Sequence, residues 1–252
     1  MKAKLPTRTL GNGFTVSALG FGAMGLTAGF YGAGPPPEQA EKVLACAREL
    51  GVTYVNTATI YGNGDNEKLL GRAISEQGWD KAGSPHMAIG SKFGVRYKNG
   101  QLQPATSLTE ATEDLHASLA RLGRKQIDAY IFRGPVRPED DAGWETFWHG
   151  MGILVTDGLI KHLGLSEVTP NHIRRAHAVF PVTLLEYEWS LFSRELERDV
   201  LPVAEELGIG ITAYSPLGRG LLSGTLSKDH KWGKGDFRSM AQPRMQGENF
   251  KK

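Results

Sequence analysis

The stretch TYVNTATIYGNG at positions 53–64 is a short apolar run that ends in polar residues, a tyrosine and glycines. It reads as a buried strand running out into a loop, with Asn56 at the strand's mouth and Tyr61 in the loop. Farther along, SKFG at 91–94 sets Lys92 near the end of a second apolar run. A phenol has a pKa of about 10, and an ammonium beside it moves that value toward neutrality. Tyr61 and Lys92 together would make a sensible general acid for a carbonyl oxygen. Taken singly, a loop tyrosine is usually packed and a strand-end lysine usually solvated. The pair carries weight only if the fold brings both to one face.

The elements that would do so alternate along the chain. Strands are expected over 18–24, 53–58, 87–93, 127–132, 160–166, 183–189 and 209–217, and helices over 37–50, 66–77, 108–122, 144–156, 170–179 and 197–207. Leu115, Leu119 and Leu122 share one helical face. Gly51, Gly78, Gly123, Gly158 and Gly208 follow helices, as left-handed C-terminal caps require. Repeated βα units imply a parallel sheet with right-handed crossovers. Before them, RTLGNGFTV reads as a β-hairpin that would close the bottom of a barrel. In a parallel barrel the strand C-termini and the loops after them build the site. Those ends carry Asn56 and Tyr61, Lys92, Phe132–Arg133, Ser166–Glu167 and Tyr214–Ser215. GFGAMG at 20–25 has the spacing of a dinucleotide fingerprint, which needs a helix to begin within its turn. LTAGFYGAGPPPEQ follows instead, and no helix can start before about Pro37. The motif is a decoy.

The totals agree with one barrel domain spanning 1–252. Hydrophobic residues make up 40% and charged residues 22%, and the net charge of +2 is too weak and scattered to argue for nucleic acid or a membrane surface. The single cysteine, Cys46, leaves no intrachain disulfide framework and fits a reducing compartment. No secretory leader or membrane-length apolar run is read, so a cytoplasmic protein is expected, and no metal site is expected.

The stretches GFGAMGL, NTATIYGNGDNEKLLGRAI, SKFG, LGLSEV and AYSPLGRGLL closely resemble the aldo-keto reductases, in the branch of bacterial and plant open-chain carbonyl reductases. The resemblance runs from Arg8 to the C-terminus. It implies an α/β fold, a (β/α)8 TIM-type barrel, with NADPH bound extended and reversible reduction of an aldehyde or ketone. By position, Tyr61 matches the family's proton-donating tyrosine and Lys92 its partner lysine. Ser166 matches the serine at the nicotinamide carboxamide, and Tyr214 the aromatic residue stacked on the nicotinamide. Ser215, Leu217, Arg219 and Gly220 lie in the segment resembling the pyrophosphate loop, and Gly22, Ala23 and Met24 at the first strand's mouth.

The chain also departs from the family. Asn56 stands where the resemblance implies an aspartate, Arg133 where it implies a histidine, and Glu186 where it implies a glutamine touching the nicotinamide amide. Counted this way, the site holds two cations, Lys92 and Arg133, without its usual carboxylate. One ion pair lost at about 4 Å and an effective dielectric near 20 is worth on the order of 4 kcal/mol before solvation compensates. Both cations would favour tyrosinate, and exchanging Asn56 and Arg133 for aspartate and histidine is expected to raise activity. Glu186, Glu188 and Asp65 are the acids that would compensate. A plainer reading has Asn56 capping its strand and Arg133 in solvent, and a one-residue slip would put Phe132 or Gly134 at the histidine position. About seven strands are visible where the family has eight, so the barrel is expected to be C-terminally incomplete. Self-association, a further segment or the tail from Ser223, which reads as flexible, would fill it. Phe30, Tyr31 and Trp189 hint at a bulky apolar carbonyl. A repurposed non-redox enzyme and a ligand-binding pseudoenzyme stay open beside the reductase.

Overall fold

The computed structural model describes residues 5–81, 84, 86–227 and 229–251. Strands β1 (Thr7–Leu10) and β2 (Phe14–Ser17) form an antiparallel hairpin. Asn12 (φ 53°) and Gly13 (φ 77°) turn it, the residue types that accept a left-handed backbone. After β3 (Phe21–Gly22) a single 3₁₀ turn follows, and the first α-helix, α1 (Pro37–Glu49), begins only at its proline. The chain then runs β4 (Tyr54–Asn56), α2 (Asp65–Glu76), β5 (Ala88–Phe93), β6 (Val95–Lys98), β7 (Gln101–Pro104), α3 (Leu108–Leu122), β8 (Ile127–Arg133) and α4 (Trp144–Thr156). It continues β9 (Ile160–Ser166), α5 (Pro170–Val179), β10 (Leu184–Glu188), α6 (Glu195–Asp199), α7 (Leu201–Leu207) and β11 (Gly210–Tyr214).

Seven of these strands pair in parallel in the order β11-β10-β9-β8-β5-β4-β3. Successive side chains on a strand alternate between two faces, and the core divides accordingly. Ile89, Phe93, Tyr130, Phe132, Leu165 and Leu185 join the large core shared with the helices. Tyr54, Ala88, Ala129, Ile131 and Leu184 form a second core with Phe14 and Val16 of the hairpin. This second core fills the inside of a curled sheet. Phe14 meets both Tyr54 of β4, edge-on at 5.7 Å, and His162 of β9, stacked at 4.6 Å. The hairpin therefore plugs the N-terminal end of the strands. In a flat sheet β4 and β10 would stand about 19 Å apart, four strand spacings; instead Asn56 and Glu186 are hydrogen-bonded at 2.6 Å. Among the described residues β3 and β11 each pair on one side only, so the seven-stranded barrel is nearly closed and open between them.

Several boundaries differ from those read in the sequence. The first strand shrinks to Phe21–Gly22. The last helix splits into α6 and α7, because Pro202 near the start of α7 cannot donate to an unbroken ladder. The hairpin β6–β7 was not expected. Its turn is Asn99-Gly100, both with positive φ. The tail read as flexible carries two short helices, α8 (Arg238–Ala241) and α9 (Gly247–Lys251). Phe237 packs on Phe30 and Tyr31, and its amide donates to the Phe30 carbonyl at 2.9 Å. Lys228 and Lys252 of that tail lie outside the described residues. Among the described residues no helix is long and apolar enough to cross a membrane.

Candidate active site

The loop bearing Tyr61 is fixed from three sides. The Thr57 and Thr59 amides donate to the carbonyls of Gly90 and Lys92 at 2.8 and 3.0 Å, so the chain leaving β4 stays beside β5. The Thr57 hydroxyl donates to Asn66 Oδ1 at 2.7 Å. Asn66, fully buried at the start of α2, donates to the Ala23 carbonyl at 2.8 Å and to Thr27 Oγ1 at 3.0 Å. Glu67, next in sequence, accepts from Ser91 of β5 at 2.6 Å and from Arg121 Nε of α3 at 2.7 Å. A side chain at Gly64 would bring its Cβ within 2.8 Å of Arg121 Cδ, and φ there is +92°. The NTATIYGNGDNE sequence thus encodes anchors on both sides of Tyr61.

Lys92 rises from β5 toward Tyr61, its Nζ 5.2 Å from the phenol ring centroid. Its side chain is 5% exposed and pairs with Glu186 Oε1 at 2.9 Å. Lys92 Nζ also donates to Asn56 Oδ1, and Asn56 Nδ2 donates to Glu186 Oε2 at 2.6 Å. Burial works against a charge on Lys92, but the Glu186 carboxylate and then the Tyr61 hydroxyl outweigh it. Its ionisation therefore lies above the ordinary lysine range. The expectation of a lysine without its carboxylate is corrected here. Of the three acids considered, Asp65 pairs with Lys68 on the surface and Glu188 with Arg219 and Arg244, while Glu186 serves Lys92.

These residues face a cavity of about 400 Å³ at the C-terminal end of the strands. Gly22, Met24, Asn56, Tyr61, Lys92, Arg133, Ser166, Glu186, Tyr214, Ser215, Leu217, Arg219 and Gly220 all reach its wall. Ala23 does not: it is fully buried, and its carbonyl accepts from Asn66 instead. Arg133 lines the cavity from the end of β8, whereas Phe132 packs on Trp144 and Phe147 and does not reach it. Phe30 and Tyr31 belong to the wall; Trp189 sits away from it and donates to Glu197 at 3.0 Å.

A sequence profile of the aldo/keto reductase family matches residues 18–246. The chain belongs to that family. It is 38% identical over 254 residues to the aldo-keto reductase yakc [NADP(+)] of Schizosaccharomyces pombe, covering 98% of this chain and 71% of that protein. It is 35% identical over 248 residues to probable aldo-keto reductase 1 of Glycine max, covering 98% of this chain and 68% of the relative. Among solved structures it resembles the glycerol dehydrogenase AKR11B4 from Gluconobacter oxydans, with a TM-score of 0.82 at 26% identity over 97% of this chain and 73% of that one. The holo form of aldo-keto reductase AKR11C1 from Bacillus halodurans gives 0.73 at 27% identity, over 86% and 68%.

In this aldo/keto reductase's cavity, Glu167 reads in sequence only as a strand-end neighbour of Ser166 without a role, and Phe237 does not read as part of the site. Glu167, with φ +55°, accepts from the Tyr214 hydroxyl at 2.9 Å. Burial, and then the Glu167 carboxylate, push the Tyr214 phenol well up, so it stays neutral. The SEV triplet was the available signal, an acid directly after the strand-end serine. Phe237 closes the cavity from the tail and sits 5.2 Å from the Arg219 guanidinium. No local pattern marks it, since its role depends on where the tail folds.

Proposed function

We propose that this chain reduces an aldehyde or ketone with NADPH, and that Tyr61 gives the proton to the carbonyl oxygen. The observation that carries the reading is the approach of Lys92 Nζ to the Tyr61 ring, 5.2 Å from its centroid, inside the cavity at the strand C-termini. As the proton leaves, negative charge develops on the phenol oxygen beside a buried ammonium that is already in place, which is where preorganised electrostatics act most strongly. General-acid help of this kind is worth about 10²–10⁴-fold in rate. Asn56 holds Lys92 from below. Arg133 occupies the place where the resemblance implies a histidine, so the catalytic set is altered at positions 56 and 133.

The wall suits the cofactor. NADPH, when bound, supplies the hydride. Ser166 is 2% exposed at the end of β9 and fits a nicotinamide amide, with the Tyr214 ring flanking it. Ser215, Gly218, Arg219 and Gly220 have φ of 50°, 58°, 57° and 108°. Backbone of this kind can turn successive amides into a concavity for phosphate oxygens. Arg219 Nε is buried there without a partner. Gly22, Met24 and Leu217 complete the wall. The single cysteine, exposed and free, supports a reducing, cytoplasmic setting.

Titration with NADPH, followed by quenching of tryptophan fluorescence and then by NADPH consumption with a panel of carbonyls, tests this. Micromolar binding with consumption is expected; no binding up to millimolar concentration would end the reading. A second reading, non-redox turnover or capture of an anionic ligand, is favoured by Arg133. It is exposed and lines the cavity, and its side chain makes no hydrogen bond or ion pair among the described residues. That reading requires binding or turnover with NADPH left unconsumed.

A further inference from the structure

Lys92 and Glu186 form an ion pair with each side chain 5% exposed, and Asn56 bonds to both. An ammonium only donates hydrogen bonds and a carboxylate only accepts them. The amide of Asn56 therefore has one arrangement that satisfies both neighbours, Oδ1 toward Lys92 and Nδ2 toward Glu186. That is the arrangement observed. The three side chains come from β5, β10 and β4, and they meet only because the sheet is curled.

We propose that Asn56 and Glu186 are one exchangeable unit, in which Glu186, a positioning residue, keeps Lys92 charged and aimed at Tyr61. The same bonds would form with an aspartate at 56 and a glutamine at 186. The glutamine amide would then donate to the aspartate, and Lys92 would donate to the carboxylate and to the amide oxygen. Donors, acceptors and net charge are all conserved in the double exchange. Neither single exchange conserves them. Glu186→Gln strands a buried ammonium without a counter-ion. Asn56→Asp faces two carboxylates across a bond that needs a donor.

The other groups around Lys92 do not replace Glu186. Tyr61 faces it from the loop after β4. Tyr54 lies beneath Asn56, 3.4 Å from Nδ2, and burial followed by the Glu186 charge holds it neutral. Arg133 on β8 is a like charge in the same cavity, and Glu167 just after β9 is taken by Tyr214.

The unit rests on the reductase reading only for its effect on turnover, so its test reads the lysine directly. The full chain, carrying isotopically labelled lysine, is titrated by NMR as wild type, Glu186→Gln, Asn56→Asp and the double variant, with thermal unfolding in parallel. The Lys92 signal is assigned by its loss in Lys92→Arg. Glu186→Gln is expected to lower the pH at which Lys92 gives up its proton by about one to three units, and the double variant to bring it back. A Lys92 titration unmoved by Glu186→Gln, or still low in a folded double variant, overturns the proposal. Should Glu186→Gln fail to fold, recovery of the fold in the double variant is the same rescue, and failure of both overturns exchangeability. Carbonyl reduction by the same four proteins keeps the two ideas apart. A wild type that reduces nothing yet shows this lysine pattern ends the reductase reading and leaves the unit standing.

Discussion

Asn56 and Glu186 stand 130 residues apart and share a 2.6 Å hydrogen bond across the mouth of the barrel. Through it, the carboxylate serving Lys92 reaches the lysine from the opposite side of the strand ring. Charge counted along the sequence finds a site short of one carboxylate, because β4 and β10 look unrelated until the sheet curls. Charge counted in space finds Lys92 balanced, leaving Arg133 as the cavity-lining cation with no ion pair recorded among the described residues.

Asn56→Asp is therefore expected to lower reductase activity rather than raise it. The exchange removes the donor that Glu186 Oε2 now accepts and sets two carboxylates face to face, so one of them must hold a proton. A loss on the order of tenfold in kcat, with a new pH-dependent step in the kcat profile, corresponds to one unit of perturbed ionisation. A gain in activity from this single exchange would mean that Glu186 does not serve Lys92 in solution.

Gly90→Ala is expected to destabilise the barrel at the floor of the site. A Cβ on Gly90 would lie 2.9 Å from Tyr54 Cζ and closer still to its hydroxyl, and Tyr54 is already wedged against Phe14 below and Asn56 above. Overpacking of this kind costs about 1–3 kcal/mol, a fall in Tm on the order of 5 °C for a chain of this size. An unchanged melting curve would show that Tyr54 has room to move.

Asp128→Asn probes the lower half of the fold. Asp128 is nearly buried on β8, and burial alone would raise its ionisation. Hydrogen bonds from Lys161, the Ile89 amide and His86 outweigh burial and hold it below the ordinary aspartate value. A depressed pKa in the folded state stabilises above the unfolded value and is lost as pH falls through the folded one. The contribution is therefore present at neutral pH and disappears below about pH 4. Asp128→Asn should cost about 3 kcal/mol at pH 7, the low end for a buried pair because Arg124, its buried partner at 2.9 Å, keeps Asp80 as a second counter-ion and Lys161 and His86 are half exposed. It should also flatten the acid side of the stability curve. Equal losses at pH 7 and pH 3, followed by urea unfolding, would contradict the linkage.

Much of this architecture is legible in the sequence where periodicity and caps agree. The helices over 108–122, 144–156 and 170–179 and the strand over 160–166 have the bounds read from their patterns. For α3 the physical reason is visible at both ends, a Ser107–Glu110 capping box and Gly123 in the left-handed conformation. The hairpin β6–β7 escapes notice because each strand is only four residues long and largely exposed, too short for its alternation to stand out, although its Asn-Gly turn is a recognised signal. Tyr61, Lys92, Ser166 and Tyr214 are legible from their places at strand ends. Two kinds of relationship are not. The pairing of Asn56 with Glu186 needs barrel closure, and the seating of Phe237 on Phe30 needs the path of the tail.

The most direct measurement follows deuterium from NADPH labelled at its transferable position into the product of a carbonyl substrate, with the wild type and Tyr61→Phe side by side. Label on the carbinol carbon of the alcohol is expected with the wild type. A rate lower by about 10²–10⁴-fold, with NADPH affinity retained, is expected of Tyr61→Phe. Unlabelled product, no product with any carbonyl tried, or a Tyr61→Phe protein as fast as the wild type would contradict hydride reduction with Tyr61 as its proton donor.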